Sequence, residues 1–440
     1  MRFTALADWL AWQETLHPSA IDLGLERVRA VAQRLGLEQL PGRTITIAGT
    51  NGKGSVATLV AALLQACGLG VGLYTSPHLL RYNERIVING QPVTDAALCR
   101  AFAAIDAARG ATSLTYFEFG TLAAAYLFAE ARLDVQVLEV GLGGRLDAVN
   151  LWDADVAVIT SVDLDHQQWL GNTREAIGRE KAGILRPGRP VVLGEAQPPH
   201  SVLAQAQHCG AGPVYRADQD FALEHGQWRW QTRRRELPLS DAGGTRDRVL
   251  PVAPLAPNGI TACAGMAGRV VTAREQNTAT ALAVLEVLGL WPQFSDALQQ
   301  ALAQRPVGRL QCLGEQPQWL LDVAHNPQAV AELARWLAAY PVTGPTVAVF
   351  GVFADKDLAG ILAAIQAHID VWQVIGLPAA RSADPVILQQ MLLAHGASVQ
   401  IVEPEAAFAQ VRNSAGMDGR VVVFGSFQTV ELGLRYLESK

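Results

Sequence analysis

The chain has 440 residues, of which 50% are hydrophobic and 17% are charged, and this composition excludes a disordered protein. The length exceeds what one hydrophobic core usually organises, so two domains are expected. A net charge of -6 argues against nucleic acid as a partner, because nucleic-acid binding normally needs a clustered basic face. The short basic run at residues 233–235 is interpreted as a solvated strand or loop.

The N-terminal residues and the cysteines indicate a cytoplasmic protein. Residues 1–13 contain an early acidic residue and lack a long apolar run before a cleavage site, unlike a signal peptide. No uninterrupted apolar stretch of about 18 residues, the length of a membrane-spanning helix, occurs. The 5 cysteines are scattered, with no CxxC pair and no histidine at ligand spacing, which favours reduced thiols over disulfides or zinc.

From Thr44 onward, short β-rich runs alternate with amphipathic helices, which is typical of a mainly parallel sheet. Residues 44–48 are predicted to form a buried strand, and a glycine-rich turn and a helix that ends at Gly68 follow. Later strands are predicted at residues 70–76, 134–140, 155–162 and around Val191, and later helices at residues 277–288 and 294–303.

The remaining chain predicts two further features. Between about Pro213 and Ile260, alternating and turn-rich sequence indicates a β-rich excursion. Beyond residues 305–310 a second series of strands and helices begins. The predicted fold class is α/β, with a P-loop-type mainly parallel sheet domain followed by a smaller Rossmann-like α/β domain. We assign residues 1–302 to the first domain, with the excursion at about 213–260, and residues 303–440 to the second, and we expect a ligand cleft between them.

Residues 49–55 read GTNGKGS and lie between a predicted strand and a predicted helix, which is the context of a phosphate-binding loop. The glycines allow backbone N–H groups to converge on a phosphate, and Lys53 supplies a mobile cation. The usual pattern G-x-x-x-x-G-K-[ST] is not met, because Ile47 occupies the first glycine position and Gly54 separates Lys53 from Ser55. The metal-binding hydroxyl that normally follows the lysine is therefore missing. The alternative is a glycine-rich turn with an exposed lysine.

Several polar residues follow predicted strands of the first domain. Glu139 ends one strand, where a carboxylate suits Mg²⁺, and the alternative is a surface carboxylate. Ser76 before Pro77 is, on the sequence alone, a turn hydroxyl. His166 follows another strand and two aspartates, so it is a metal ligand, an acid or base, or a hydrogen-bonded loop residue. Lys181 lies on a predicted helix, where a solvated lysine paired with a neighbouring glutamate is the interpretation that the sequence alone favours.

The glycine-rich segment at residues 141–150 departs from G-x-G-x-x-G at the start of a helix, so it does not predict a dinucleotide site. We expect it to shape the wall beside Glu139. In the second domain, Asp322, His325 and Ser426 follow predicted strands, where α/β sheets place ligands. Helix caps and ordinary polar residues are the alternative for each.

Ten segments, in this order along the chain, resemble the folylpolyglutamate synthase family, which is related to the Mur ligases. They are IDLGLERV, GTNGKGS, LYTSPHLLRYNERI, YFEFGTLAA, LEVGLGGRLDAVN, SVDLDHQQWLG, REKAGI, GRL, DVAHNP and FGSF. The resemblance covers almost the whole chain and is weakest between about Pro213 and Arg274. There the chain reads Arg-Glu-Gln-Asn, whereas the family often has a His-Gln pair before the residue that matches Asn277.

The resemblance implies an ATP-dependent ligase and a role for each matching residue. It implies two Mg²⁺ ions held by Ser76, Glu139 and His166, and carbamylation of Lys181. The residues implied to be catalytic are Lys53, His166, Lys181 and His325. The residues implied to bind ATP are Thr50, Asn51, Gly52, Lys53, Gly54, Ser55, Asn277, Arg309 and Asp322. The residues implied to bind the acceptor or glutamate are Ser76, Pro77, His78, Asp147, His325 and Ser426.

IDLGLERV resembles the segment that bifunctional bacterial members place over the pterin of dihydropteroate. The implied reaction therefore joins L-glutamate to dihydropteroate and to reduced folates through an acyl phosphate. A Mur-type ligase that acts on a nucleotide-sugar peptide and a P-loop ATPase switch without ligase chemistry remain as alternatives. We expect a monomer whose partners are these small molecules, with no nucleic acid and no membrane.

Overall fold

A computed structural model describes residues 2–224, 227–236, 273–291, 296–314, 316–379 and 381–439. The described residues up to 236 and those from Ala273 to Gln304 form one compact unit, and those from Arg305 onward form a second. Both units are α/β and contain a mainly parallel sheet, so the predicted fold class is confirmed. A search of the described helices finds none with the length and apolar character needed to cross a membrane.

The first unit contains the larger sheet. Its strands are β1 (Arg43–Ala48), β2 (Val71–Tyr74), β3 (Ile86–Ile88), β4 (Gln91–Pro92), β5 (Val135–Glu139), β6 (Val156–Ile159), β7 (Val191–Leu193), β8 (Val214–Arg216), β9 (Phe221–Glu224), β10 (Gln227–Trp230) and β11 (Arg233–Glu236). Its helices are α1 (Leu6–Leu16), α2 (Glu26–Arg34), α3 (Lys53–Ala66), α4 (Asp95–Arg109), α5 (Tyr116–Ala131), α6 (Gln167–Leu170), α7 (Arg174–Lys181), α8 (His200–His208), α9 (Ala273–Leu288) and α10 (Asp296–Ala303).

The strand order of this sheet is β4-β3-β2-β5-β1-β6-β7-β8, and the strands from β2 to β8 in that order run parallel to one another. In register, Ile47 of β1 lies beside Glu139 of β5, and Ala48 lies beside Ile159 of β6. The carboxyl ends of β2, β5, β1 and β6 therefore meet at one edge, which is where parallel sheets bind ligands. The predicted strands at residues 44–48, 134–140 and 155–162 are confirmed.

The central strands are apolar on both faces because helices cover both faces of the sheet. Ile45 and Ile47 are fully buried in one core cluster with residues of α3 and α9, such as Val60 and Leu282. The other cluster contains Leu138 together with residues of α4 and α5. Helix α9 thus belongs to the first unit and begins at Ala273, four residues before the predicted start at Asn277.

Strands β9, β10 and β11 form a separate antiparallel sheet. The rings of Trp228 and Trp230 are stacked with centroids 6.4 Å apart. The basic run lies in β11, where Arg233 and Arg234 are exposed. The β-rich excursion predicted at about 213–260 contains this sheet, and its part from 237 to 260 lies outside the described residues.

The second unit contains a six-stranded sheet of order β12-β13-β17-β14-β15-β16, in which only β12 is antiparallel to its neighbour. Its strands are β12 (Gln311–Leu313), β13 (Gln318–Asp322), β14 (Thr346–Phe350), β15 (Val371–Val374), β16 (Ser398–Ile401) and β17 (Arg420–Phe424). Its helices are α11 (Pro327–Ala339), α12 (Leu358–Ile365), α13 (Pro385–Ala394), α14 (Pro404–Ala415) and α15 (Phe427–Glu438). Asp322 lies beside Phe424 in register, so the residues that follow β13 and β17 share one edge.

Candidate active site

The loop from Gly49 to Gly52 requires glycine at both ends. Gly49 has a φ of 155°, and a Cβ there would lie 1.9 Å from the hydroxyl oxygen of Thr160. Gly52 has a φ of 84° and immediately precedes α3. A Cβ at Gly52 would lie 2.5 Å from Oδ1 of Asn277, so the Asn277 side chain lies against this loop. Backbone N–H groups at the start of α3 provide the positive potential that a phosphate requires.

Residues after β6 brace the loop. The Thr50 N–H donates to the Ser161 carbonyl at 2.7 Å. The Thr50 hydroxyl donates to the Asp163 carbonyl and accepts from the Asp163 N–H, both at 3.0 Å. The Thr160 hydroxyl donates to the Asn51 carbonyl at 2.6 Å. The sequence analysis missed these bracing residues, and the available signal was a pair of hydroxyl residues near the end of a predicted strand.

Two lysines meet at one carbonyl of the loop. Nζ of Lys53 donates to the Gly49 carbonyl at 3.0 Å, and Nζ of Lys181 donates to the same oxygen at 2.8 Å. Lys181 is only 4% exposed. Burial, and then the charge of Lys53, hold the pKa of Lys181 well below its usual value, against the opposing charges of Asp165 and Asp147.

The interpretation of Lys181 as a solvated lysine is therefore wrong. Gly144 contacts the end of α7 so closely that a Cβ on it would lie 2.8 Å from the Glu180 carbonyl. This contact seats the end of α7 against the 141–150 segment, with Lys181 directed into the interior. Its neighbour Glu180 pairs with Arg145 instead, at 3.0 Å.

Glu139 is a buried carboxylate beside the loop rather than a surface group. It is 4% exposed, and its Oε2 accepts a hydrogen bond from the Ser76 N–H at 3.0 Å. A Cβ on Gly54 would lie 3.4 Å from the same oxygen, so Glu139 adjoins the first turn of α3. The carboxylate of Glu139 and the hydroxyl of Ser76 are the oxygen ligands that Mg²⁺ prefers.

A magnesium ion bound between protein and phosphate needs few protein ligands, because substrate oxygens and water complete its coordination. Among the described residues no group of three or more His, Cys, Asp or Glu side chains is arranged to hold a metal. Glu139 with Ser76 therefore fits a magnesium ion that is shared with a nucleotide.

His166 lies at the same edge of the sheet, after β6. Its backbone is left-handed, with a φ of 50°, and it precedes α6. Its Nε2 lies 3.9 Å from a carboxylate oxygen of Asp165. A partly exposed imidazole at the edge that carries the phosphate loop remains compatible with metal binding, proton transfer or a loop contact.

Asp147 holds the glycine-rich segment at residues 141–150 in place. This carboxylate is buried and accepts hydrogen bonds from the N–H groups of Leu142 at 2.8 Å and Val149 at 3.1 Å. Burial raises the pKa of Asp147 to about 7, although these backbone donors lower it. A Cβ on Gly141 would lie 2.6 Å from the ring of Phe117, which places this ring against the segment.

His78 follows Ser76 and Pro77, whose peptide bond is cis. Its Nδ1 accepts a hydrogen bond from Nε of Arg85 at 2.8 Å. Burial, and then the charge of Arg85, together lower the pKa of His78 to about 4. The sequence analysis did not single out Arg85.

Arg174 binds the chain after β6 and also pairs with Glu195. Nε of Arg174 donates to the Val162 carbonyl at 2.7 Å, and its Nη2 donates to Oε2 of Glu195 at 3.0 Å. Oε1 of Glu195 is buried and has no hydrogen-bond partner among the described residues. Burial raises the pKa of Glu195 to about 7 even though Arg174 opposes the shift.

Replacing Glu195 by glutamine should stabilise the protein at pH 8. Ionisation of Glu195 costs folding free energy; this cost is absent below pH 4.5, its ordinary pKa, and complete above about pH 7. The amide removes the cost and still accepts from Arg174, so we expect a gain of about 1–3 kcal/mol at pH 8 and little gain at pH 4.5. Melting temperatures of both proteins at the two pH values measure this. An equal difference at both would contradict the raised pKa.

In the second unit, the Asp322 carboxylate organises the end of β13. It accepts hydrogen bonds from the N–H groups of Leu310 at 2.7 Å and Ala324 at 2.8 Å. Burial raises the pKa of Asp322, and the charge of Arg309 opposes that shift.

Arg309 and His325 approach the same aromatic ring. The guanidinium of Arg309 lies 5.4 Å from the ring centroid of Phe427, and the His325 ring lies 6.2 Å from it. Nδ1 of His325 lies 2.8 Å from the Val323 carbonyl, so it carries a proton. In the neutral ring, Nε2 is then a hydrogen-bond acceptor.

Ser426 caps α15. It is 1% exposed; its hydroxyl accepts from the Thr429 N–H at 3.0 Å and lies 2.8 Å from the Thr429 hydroxyl. The Thr429 hydroxyl in turn donates to the Gly351 carbonyl at 2.6 Å. The structure therefore gives Ser426 the helix-capping role that the sequence analysis held as the alternative to a glutamate contact.

Replacing Ser426 by alanine should destabilise the second unit by about 1–2 kcal/mol, because the Thr429 N–H loses its buried acceptor. Thermal melting measures this loss. Asp384 caps α13 through the Val386 N–H in the same unit, and its replacement by alanine is the control for the loss of a helix cap at an exposed position. A rise in KM for glutamate in the Ser426 variant alone would assign a substrate contact to Ser426; equal KM values in both would leave only the cap.

Comparisons with known proteins identify the family. Residues 47–192 match the Mur ligase middle domain, and residues 308–427 match the Mur ligase glutamate ligase domain. The dihydrofolate synthase/folylpolyglutamate synthase of Escherichia coli K12 is 41% identical over 442 residues, which cover 99% of this chain and 96% of that protein.

Two solved structures are similar along nearly the whole chain. Escherichia coli FolC in complex with DHPP and ADP is 40% identical, with a TM-score of 0.84 and coverage of 99% of this chain and 98% of that chain. A bifunctional folylpolyglutamate synthase/dihydrofolate synthase with Mn, AMPPNP and L-glutamate bound is 42% identical, with a TM-score of 0.85 and the same coverage. The chain therefore belongs to the dihydrofolate synthase/folylpolyglutamate synthase family of Mur-type ligases.

Proposed function

We propose that the protein is an ATP- and Mg²⁺-dependent ligase that joins L-glutamate to dihydropteroate, which gives dihydrofolate, and to reduced folates, which gives folylpolyglutamates. The observation that carries this proposal is the pair of lysines on the phosphate loop beside the buried Glu139 carboxylate. The relatives support it, since one binds DHPP and ADP and another binds Mn, AMPPNP and L-glutamate.

In the first unit, Lys53, residues 50–55 and Asn277 would bind the nucleotide. Ser76, Glu139 and His166 would hold two Mg²⁺ ions. When bound, Mg²⁺ neutralises phosphate oxygens and orients the terminal phosphate for transfer. Lys53 would leave its carbonyl partners and bind that phosphate.

A carboxylate oxygen of the acceptor attacks the terminal phosphorus, and ADP leaves. The glutamate nitrogen then attacks the acyl phosphate carbon, inorganic phosphate leaves, and the amine proton passes to a base. His325 is our choice for this base, because its Nδ1 donates to the Val323 carbonyl, which makes Nε2 the ring nitrogen that would accept the proton. Arg309 and Asp322 would contact the nucleotide, and Ser426 would contribute to glutamate binding. Pro77, His78 and Asp147 would line the acceptor site.

Lys181 is proposed to be carbamylated. Burial lowers the pKa of the Lys181 amine, which favours the unprotonated nitrogen that attacks CO₂ and loses a proton as the carbamate forms. The resulting anion would be attracted to the Lys53 ammonium group, which donates to the Gly49 carbonyl. The chain has only four lysines, at 53, 181, 356 and 440, so a ¹³C NMR spectrum under ¹³CO₂ stays simple. A carbamate signal that persists in Lys181→Ala would overturn the assignment.

We further propose a cytoplasmic monomer with domains at residues 1–302 and 303–440. The four cysteines in the described part of the chain form no disulfide, which fits a reducing compartment. Sedimentation velocity tests the monomer.

Product analysis by mass spectrometry tests the reaction. The protein is incubated with ATP, Mg²⁺ and L-glutamate, with dihydropteroate or tetrahydrofolate as the acceptor. Glutamylated product from both acceptors would support the bifunctional ligase, and product from one would restrict the proposal to that half. ATP consumption without any amide product would overturn it in favour of a Mur-type ligase or an ATPase switch.

A further inference from the structure

The loop that carries His78 is fixed by two neighbouring charged residues. The Glu84 carboxylate accepts hydrogen bonds from the N–H groups of Leu79 and Leu80, each at 2.8 Å. The next residue, Arg85, is 9% exposed, and its guanidinium lies 5.3 Å from the ring centroid of Tyr82 and 5.5 Å from that of Tyr116. Within the described ranges Arg85 forms no ion pair with a carboxylate. Its polar contacts are the hydrogen bond to His78 and a side-chain contact with the hydroxyl of Tyr74.

That hydrogen bond determines where the His78 ring carries its proton. An arginine Nε always carries hydrogen, so Nδ1 of His78 must accept the bond, and the hydrogen of the neutral ring is on Nε2. Nε2 makes no hydrogen bond to the part of the chain that the structure describes. His78 thus presents an N–H donor of fixed orientation, two residues after Ser76, whose own N–H contacts Glu139.

We propose that Arg85 is a positioning residue for the ligase reaction, which fixes His78 as the Nε2–H tautomer so that this N–H binds an oxygen of the reacting acceptor carboxylate. This inference rests on the proposed function. The acceptor carboxylate must lie beside the terminal phosphate. The Ser76–His78 segment is held at the same edge of the sheet by the hydrogen bond from the Ser76 N–H to the Glu139 carboxylate. A donor placed there also stabilises the oxyanion that develops when the glutamate amine attacks the acyl phosphate.

The tautomer is tested by NMR of protein labelled with ¹⁵N-histidine. The chain has 9 histidines, and the His78 signals are assigned by their loss in His78→Gln. We expect long-range ¹H–¹⁵N correlations that report a bare Nδ1 and a protonated Nε2, and a mixture of tautomers in Arg85→Met. A wild-type ring protonated on Nδ1 would overturn the proposal. This measurement needs no turnover, so it stands apart from any failure of the ligase assay.

The functional role is tested by a double-mutant cycle. Arg85→Met should lower kcat/KM for the acceptor about tenfold, the loss expected for one hydrogen bond, with KM for ATP unchanged. In His78→Gln the amide NH₂ donates whatever its neighbours are, because an amide has no second tautomer. Adding Arg85→Met to this variant should therefore lower kcat/KM for the acceptor by less than about twofold. Equal losses in both backgrounds would show a purely structural role and overturn the proposal.

Two further variants separate folding from positioning. Arg85→Lys keeps a group that only donates, and should retain more activity than Arg85→Met. Arg109→Met is the matched control: Arg109 is also 9% exposed and lies 5.1 Å from the ring centroid of Trp12, where it pairs with Asp106. We expect Arg109→Met to lower the melting temperature without changing kcat/KM. A kcat/KM loss in Arg109→Met that matches that of Arg85→Met would count against positioning.

Discussion

Replacing Lys53 by methionine should lower kcat about 10²–10³-fold while the protein remains folded. Nζ of Lys53 donates to the carbonyls of Gly49 and Thr50, so the ammonium group is already on the loop that would bind the phosphates. Methionine keeps an unbranched, partly buried side chain and removes the charge. The loss should therefore fall on transfer of the terminal phosphate. Single-turnover formation of ADP and of the glutamylated product measures it.

Two variants control this experiment. Lys53→Arg keeps the positive charge but places a larger planar group on a loop closed by Gly49 and Gly52, so we expect much of the activity to be lost as well. Arg189→Met removes an exposed cation that pairs with Asp155 in the same unit, and should leave kcat unchanged. A Lys53→Met enzyme with kcat within a few fold of wild type would show that the loop does not act through this lysine.

The strands that position the site could be predicted from the sequence, because buried parallel strands are short apolar runs that are easy to recognise. Short apolar runs marked β1, β5 and β6, and polar residues at or beyond the ends of these runs, including Glu139 and His166, were singled out for that reason. What alternation along the chain does not predict is the order of the strands in the sheet. That order, with β1 between β5 and β6, is what brings the phosphate loop beside Glu139 and beside Thr160.

The predictions that failed or stayed open concern contacts between distant segments. Spacing along α7 shows which residues neighbour Lys181 on the helix, but the burial of Lys181 follows from Gly144, 37 positions earlier, packing against the end of that helix. Arg85 was missed for a related reason, because the sequence does not show that its Nε reaches His78. Such contacts depend on the path of whole loops, which local propensity does not determine.

Replacing Glu139 by glutamine should raise the Mg²⁺ concentration needed for half-maximal activity at least about tenfold, since even residues that only orient a metal ligand have effects of that size. The variant isolates charge: the amide oxygen can still accept from the Ser76 N–H and occupies the same volume, so the loop should remain in place. Glu195→Gln is the control for removing a carboxylate charge, because Glu195 is also largely buried in the first unit yet pairs with Arg174 rather than with a residue of the phosphate loop.

Two measurements test whether Glu139 is a Mg²⁺ ligand. One is a magnesium titration of product formation, and the other is calorimetry of the binding of a non-hydrolysable ATP analogue with and without Mg²⁺. If Glu139 is a ligand, the Mg²⁺-dependent part of nucleotide affinity should fall in Glu139→Gln and stay intact in Glu195→Gln. A lower kcat with an unchanged Mg²⁺ midpoint would instead assign Glu139 to the acceptor or to the structure of the Ser76 turn. Because Ser76 would supply the hydroxyl that Gly54 displaces from its usual place after Lys53, that outcome would also remove the basis for placing magnesium at this edge of the sheet.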